Sequence, residues 1–225
     1  MAPLPEHLMP GPAGRSPLPR TVMAEHQRER VLEAAIGVFA KRGYQETTID
    51  HIVAAARIGV GKFYELFDGK EDCFLQAYDR IVAAARDRIA TAISSEAAWP
   101  EQVLAVLRTL LELIAEQPLQ ARIALAEVQT AGPAALARYE QTLAGTANLL
   151  REGRAIGGIA AELPPTFEDA IAGGLAWLLQ QRVVSGEPVS QEELLPELVE
   201  LVLEPYVGER QAARLLASAS GVSAG

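Results

Sequence analysis

Two predicted helix breaks near the N-terminus, at Gly43 and Gly59, lie so close together that only a short helix fits between them. Apolar residues recur at helical spacing from residue 24 onward, and this pattern stops at Gly43, a residue suited to a left-handed helix cap. A second, shorter apolar pattern follows and is interrupted at Gly59. A third begins at Val60. The spacing therefore predicts a long helix and then two short helices joined by a tight turn, which is a helix-turn-helix.

The third helix divides its side chains between two faces. Val60, Phe63 and Phe67 share the face that we expect to be buried. A helix of this kind fits the major groove of DNA, where the outward side chains reach base edges. The outward face carries Gly61, Lys62, Tyr64 and Glu65.

The segment GVGKFYELFDGK, residues 59–70, contains glycines and a lysine but does not fit a nucleotide-binding loop. That loop follows a β-strand, has four residues between its glycines and has a Ser or Thr directly after its lysine, and this segment has none of the three features. The predicted helix N-termini at Thr48 and Lys70 instead offer free amides to an anion, and Lys70 adds a positive charge. The expected phosphate is therefore that of DNA.

The overall composition limits how such DNA binding can work. The net charge is −9, so a DNA-binding surface has to be a local basic face. The N-terminal segment has prolines where a signal peptide needs a continuous apolar core, and we find no apolar run long enough to span a bilayer. We therefore expect a cytoplasmic protein with no membrane partner. Cys73 is the single cysteine, which excludes an internal disulfide.

The rest of the chain predicts an all-α fold. After Lys70 the pattern is helical throughout, with breaks at proline or glycine and no strand alternation. We expect four regions. They are a disordered arm at 1–22, a three-helix DNA-binding domain at 23–69, a helical effector-binding and dimerisation domain at 70–208, and a partly helical tail at 209–225.

Many fixed spacings occur together in RVLEAAIGVFAKRGYQETTIDHIVAAARIGVGKFYELFDGKEDCF, and this segment resembles the TetR family of transcriptional regulators. The resemblance covers about a fifth of the chain. Its main features are an aromatic residue closing helix one, Gly43-Tyr44, the paired threonines, Ile52, Gly61, Phe63-Tyr64, Phe67 and Lys70-Glu71.

The resemblance implies a division of roles at the DNA. Thr48, Tyr64 and Lys70 would bind backbone phosphates, and Lys62 would reach base edges. Three of these assignments have a structural alternative: Thr47 or Thr48 caps its helix, Tyr64 packs as an aromatic, and Lys62 is a solvated lysine. The candidate DNA-binding residues are Thr47, Thr48, Arg57, Gly61, Lys62, Tyr64, Glu65 and Lys70.

Three features depart from the family pattern. The turn reads Ala56-Arg57-Ile58 where the family has Ala-Gly-Val, and Gly59 replaces a serine cap. Glu65 places a carboxylate on the face expected to meet phosphates, which repel it, although a carboxylate also accepts a hydrogen bond from a cytosine amino group. Weakened operator binding is therefore one alternative.

The resemblance also implies a homodimer on a palindromic operator and an effector cavity between Lys70 and Arg151. The abundance of aliphatic residues favours an apolar effector. The candidate cavity residues are Phe74, Tyr78, Leu107, Leu111, Glu127 and Tyr139. The candidate dimer residues are Ile171, Leu175, Leu178, Leu195, Val199 and Val202.

The preferred interpretation is a ligand-responsive transcriptional repressor with no cofactor and no metal. The first alternative is a dimeric ligand-binding module that has lost operator binding. An enzyme is the second alternative, but His7, His26 and His51 are scattered and Cys73 has no evident partner. We therefore expect no catalytic residues.

Overall fold

The fold is all-α, as the sequence predicted. The structure is a computed structural model that describes residues 20–93 and 97–219, and no β-strand occurs in these ranges. The predicted N-terminal arm lies outside the described residues as far as residue 19, and so does the end of the predicted tail from residue 220.

Three helices form the predicted helix-turn-helix unit: α1 (Arg20–Arg42), α2 (Ile49–Ala56) and α3 (Val60–Tyr64). α1 ends where Gly43 adopts a φ of 81° and donates its N–H to the Phe39 carbonyl at 2.8 Å. The prediction of one long and two short helices is therefore confirmed.

The next helices form the body of the molecule. α4 (Lys70–Ala92) leads out of the helix-turn-helix unit and packs on α1, α5 and α6. Pro100, Pro118 and Pro133 each lie in the first turn of a helix, where a missing N–H costs little. These helices are α5 (Trp99–Glu116), α6 (Pro118–Leu125) and α7 (Pro133–Arg151), and α8 (Phe167–Ser185) follows.

A short segment between α7 and α8 forms two 3₁₀ turns, Glu152–Ile156 and Gly158–Glu162. The Arg154 guanidinium fastens this segment, because it donates to both carboxylate oxygens of the buried Glu168 at 2.7 and 2.9 Å. The hydrogen bond from Arg154 holds the pKa of Glu168 below its usual value. Tyr206 adds a hydroxyl donor to the same carboxylate at 3.2 Å.

The C-terminal region is divided into short helices. α9 (Gln191–Val202) is followed by a separate short helix, α10 (Glu204–Val207). The break coincides with Pro205, which cannot donate a backbone hydrogen bond. α11 (Glu209–Ala219) occupies the predicted tail and buries Ala212 and Leu215 in the adjoining core.

Two hydrophobic clusters hold the chain together. The first joins α1, α2, α3 and the start of α4 around Phe39, Phe63, Phe67 and Phe74, and it also takes in residues from α6 to the start of α7. The second joins α5 with α8, α9, α10 and α11 through Leu, Val, Ile and Ala. Val60 was expected in the first cluster and is instead 44% exposed, so that prediction is wrong.

Candidate DNA-binding surface and effector cavity

The turn before α2 is held by a buried threonine. The Thr47 side chain is 1% exposed, and its hydroxyl donates to the Gly43 carbonyl at 2.7 Å. Thr47 is therefore corrected from a candidate DNA contact to a structural residue, because its hydroxyl proton is already bonded inside the turn.

Thr48 caps α2 and remains at the surface. Its Oγ1 accepts from the His51 N–H at 3.3 Å, while His51 Nδ1 accepts from the Thr48 N–H at 3.2 Å. With Nδ1 as an acceptor, the proton of a neutral imidazole lies on Nε2. The sequence reasoning left capping and phosphate binding open for Thr48 and assigned no role to His51, because Glu or Gln is the usual residue at this place in a capping box.

The turn between α2 and α3 is tight and carries backbone strain. Arg57 closes α2 in the left-handed region with a φ of 54°, and its N–H lies 3.3 Å from the Ala54 carbonyl. Gly59 precedes α3 without a side-chain cap. Arg57 and Gly61 are exposed, and open space surrounds the Gly61 Cα, so a DNA backbone can approach this edge of the unit.

The outward face of α3 presents an aromatic residue and an ion pair. Tyr64 is 55% exposed and touches the edge of the buried Phe63 ring, with centroids 5.6 Å apart. Lys62 Nζ donates to Glu65 Oε2 at 2.7 Å. Glu65 therefore neutralises the one basic residue of α3, which the sequence reasoning did not foresee although the two residues are three apart.

Lys70 lies at the N-terminus of α4 and is engaged within the chain. Its ammonium donates to the Tyr44 carbonyl at 3.0 Å and lies 4.3 Å from the centre of the Tyr44 ring. Lys70 thus fastens the α1–α2 turn to α4. A phosphate contact by Lys70 remains a prediction, and such a contact would share the ammonium with these groups.

A cavity of about 510 Å³ lies inside the helical body, between α4, α5, α6, α7 and α8. Its wall is mainly Leu, Ile, Val and Ala. Three of the candidate cavity residues, Tyr78, Leu107 and Tyr139, line it, and their contact with an effector stays a prediction. Phe74 and Leu111 do not line it: both are buried, Phe74 among the rings of the N-terminal core and Leu111 in the second cluster.

Glu127 belongs to a different contact from the one predicted. It is 7% exposed and does not line the cavity. Its Oε2 accepts from the Tyr44 N–H at 2.9 Å and its Oε1 accepts from Arg122 at 3.1 Å. A Cβ at Gly43 would lie 3.3 Å from the same Oε2, so glycine serves both the backbone conformation and this close approach. Glu127 therefore joins the end of α6 to the turn that starts the helix-turn-helix.

The predicted dimer residues fall into two groups. Leu175, Leu195, Val199 and Val202 are buried within the protomer, so they are corrected from dimer contacts to core residues. Ile171 and Leu178 are half-buried against the same cluster. The exposed apolar face of α8 instead carries Gly174, Trp177 at 62% exposure and Val184 at 50%.

Among the described residues, the side chains able to bind a metal are dispersed, and the cysteine is buried. No three His, Cys, Asp or Glu side chains in this part of the chain are grouped to hold a metal ion. Burial raises the pKa of the Cys73 thiol to about 12, and the nearby Asp72 charge adds to this rise, so the thiolate is not available at neutral pH. Within the described ranges, no helix has the length and apolar character needed to cross a membrane.

Comparison with known proteins agrees with this arrangement. Residues 31–77 match the model of the family described as bacterial regulatory proteins, tetR family. The uncharacterized HTH-type transcriptional regulator YhgD of Bacillus subtilis (strain 168) is 28% identical over 90 residues, which are 40% of this chain and 47% of that protein. The chain thus matches about half the length of this curated relative.

Two solved structures share the fold. The fatty acid degradation regulator FadR from Bacillus halodurans superposes with a TM-score of 0.69 at 20% identity, covering 78% of this chain and 94% of that one. The transcriptional regulator FadR from Bacillus subtilis, solved in complex with stearoyl-CoA, gives a TM-score of 0.63 at 18% identity over 80% of this chain and 98% of that one.

Proposed function

We propose that this chain, which belongs to the TetR family of transcriptional regulators, represses transcription by binding an operator as a homodimer, and that an apolar effector in its cavity releases it. As a family member it is a DNA-binding transcription regulator and not an enzyme. The observation that carries the proposal is the contact of Glu127 with the Tyr44 N–H, which joins the end of α6, a helix that lines the cavity, to the helix-turn-helix. The protein would bind its operator in the cytoplasm.

The DNA-binding step uses the outward edge of α2 and α3. The hydroxyl proton of Thr48 and the exposed Tyr64 hydroxyl would donate to backbone phosphates, which fix the position of the unit. Lys62 would then read a base edge in the major groove once DNA separates it from Glu65. Repression needs no further surface, because an occupied operator that overlaps a promoter blocks the polymerase.

The effector step uses the cavity. Its volume falls within the range of about 300–1,000 Å³ that is usual for ligand pockets, and its wall is mainly aliphatic. A structural neighbour, the FadR protein of Bacillus subtilis, was solved in complex with stearoyl-CoA, which supports an effector with a long aliphatic chain.

The coupling step runs through α6. Gln117, Ala121 and Leu125 lie on the cavity wall, and Glu127 follows α6 by two residues. A ligand that displaces α6 would pull on the Tyr44 backbone and so change the position of α2 and α3. The ligand lowers operator affinity by as much as it prefers the displaced state.

A dimer is needed to read both halves of a palindromic operator. The face of α8 around Gly174, Trp177 and Val184 suits this role, because an exposed tryptophan beside a residue without a side chain permits close helix packing. Two copies of this face would meet across a two-fold axis.

One observation favours the second candidate, a ligand-binding module that no longer reads DNA. The Lys62–Glu65 ion pair neutralises the one basic side chain of α3, and the Glu65 carboxylate beside it is exposed. This arrangement would weaken an approach to phosphates.

Selection of bound duplexes from a random DNA pool, using the full chain, decides between the two candidates. A repressor enriches a palindrome, binds it as a dimer and loses affinity with rising salt, with a logarithmic slope of about −0.9 per phosphate neutralised. Tyr64→Ala serves as the control and weakens binding to every sequence. A folded dimer that enriches no sequence would contradict the repressor and favour the ligand-binding module.

A further inference from the structure

Apart from Gln117 and Gln120 at the start of α6, the polar residues of the cavity wall lie on two facing helices. Tyr78 and Arg86 stand eight residues apart on one face of α4, while Tyr139, Thr142 and Thr146 share one face of α7. The two faces meet where the Tyr78 hydroxyl lies 3.0 Å from Thr142 Oγ1. The stretches of wall from α5 and α8 are mainly aliphatic. The cavity therefore has a polar side between α4 and α7.

The hydroxyl protons on this side are not equally available. Thr142 Oγ1 donates to the Arg138 carbonyl at 3.1 Å, so the Tyr78 hydroxyl is the donor in its bond with Thr142. Thr146 donates to the Thr142 carbonyl at 3.2 Å. The Tyr139 hydroxyl has no hydrogen-bond partner among the residues that the structure describes. Tyr139 is therefore the hydroxyl left to donate to a ligand.

Arg86 is a charged residue of the wall for which the described ranges supply no ion-pair partner. It is exposed, which places it where the cavity meets solvent, and no carboxylate of the described ranges lies within ion-pair distance of it. Arg88 also lines the cavity but is held by Glu116 and by Glu112 at 3.7 Å. The cavity wall thus contains one neutralised and one available guanidinium.

The available charge acts on the polar side of the cavity. Burial raises the pKa of Tyr78, the bond with Thr142 lowers it, Tyr139 and the Asp79 carboxylate raise it, and the positive charge of Arg86 lowers it. The Asp79 carboxylate is itself paired with Arg138 at 2.9 Å. A charge that acts on Tyr78 in this way also attracts an anion placed beside it.

We infer that the effector is an anionic amphiphile whose head group binds Arg86 and Tyr139 at the cavity mouth and whose aliphatic tail fills the interior. The inference rests on the proposed ligand-responsive function and adds the charge and the orientation of the ligand. A free carboxylate and a phosphate-bearing acyl thioester share this chemistry, since either puts negative charge beside Arg86.

Calorimetry with the full chain and three probes of equal tail length tests the charge directly. Dodecanoate binds about tenfold more tightly than 1-dodecanol, and dodecylamine binds most weakly. Arg86→Ala removes most of this preference, and Tyr139→Phe weakens dodecanoate binding by a smaller factor. Arg86→Glu reverses the order in favour of dodecylamine, whereas Arg86→Lys keeps dodecanoate first.

Arg210→Ala is the matched control, because it removes an exposed arginine of α11 that does not line the cavity. It leaves all three affinities unchanged. Dodecanoyl-CoA, compared with dodecanoate, distinguishes the two head groups. Tighter binding that depends on Arg86 identifies the effector as an acyl thioester, and weaker binding identifies it as a free carboxylic acid.

Equal binding of dodecanoate and dodecanol, or an unaltered preference in Arg86→Ala, overturns the inference while the proposed function survives. Tight binding with no change in operator affinity contradicts the proposed function alone. No binding of any probe overturns both.

Discussion

The two hydrophobic cores of this molecule are built from different residues. The difference gives a rigid helix-turn-helix unit and a helical body that a ligand can deform. The N-terminal core interlocks aromatic rings: the Phe74 ring lies 5.1 Å, centre to centre, from both Phe39 and Tyr44. The helical body is packed with aliphatic side chains and contains a cavity of about 510 Å³. A filled core fixes the spacing of α2 and α3, whereas a hollow one leaves room for a ligand to move helices.

Removing a ring from the filled core has the largest expected effect. Phe74→Ala lowers the free energy of unfolding by about 3–5 kcal/mol, because it opens a new cavity among packed rings. Leu107→Ala on the cavity wall costs about 2 kcal/mol, since Leu107 already has contacts missing on one side.

Urea denaturation at one protein concentration measures both losses, because a dimer's stability depends on concentration. Leu119→Ala, at an exposed site on α6, is the control and changes stability by less than about 0.5 kcal/mol. Equal losses for Phe74→Ala and Leu107→Ala would remove the distinction between the two cores.

The junction between the two regions gives the next effect. Glu127→Ala leaves the buried Tyr44 N–H without its acceptor, which lowers stability by about 1–3 kcal/mol. It also reduces the change in operator affinity that a ligand causes, because the hydrogen bond that joins the end of α6 to the α1–α2 turn is lost. Glu33→Gln, which weakens an exposed ion pair with Arg80 away from the cavity wall, is the control for the loss of a carboxylate.

Measuring the operator affinity of Glu127→Ala with and without ligand separates its effect on the ligand response from its effect on stability. A full ligand response in this variant would show that the cavity and the helix-turn-helix communicate by another route.

The smallest expected effect lies on the DNA-reading face. Glu65→Gln frees Lys62 and removes a negative charge, so we expect operator binding to strengthen by about 1 kcal/mol at low salt. Lys62→Ala mainly relaxes the preference at one base position. Weaker binding by Glu65→Gln would instead indicate that the carboxylate itself contacts the DNA, as it would if it accepted from a cytosine amino group.

Local patterns predicted the helix-turn-helix better than they predicted the cavity wall. Gly43 ends α1, and Pro118 and Pro133 begin helices, because each acts on its own backbone. The partner of Glu127 lies 83 residues earlier in the chain, and no local pattern reports such a distance. A row of apolar residues on one helix face likewise predicts that they are buried, but it does not show which surface covers them. Leu195 and Val199 were for this reason assigned to a dimer surface.

In the proposed function, ligand binding in the cavity of the helical body changes the position of the helix-turn-helix unit. The most direct test of this coupling is the operator dissociation constant of the full chain, measured at fixed salt while dodecanoate is raised to saturation. We expect the constant to rise at least about tenfold, a coupling of about 1.4 kcal/mol. Ala176→Phe, which fills the cavity from α8, should bind the operator normally and lose the response. Unchanged operator affinity in the parent chain, with calorimetry showing dodecanoate bound, would contradict this coupling.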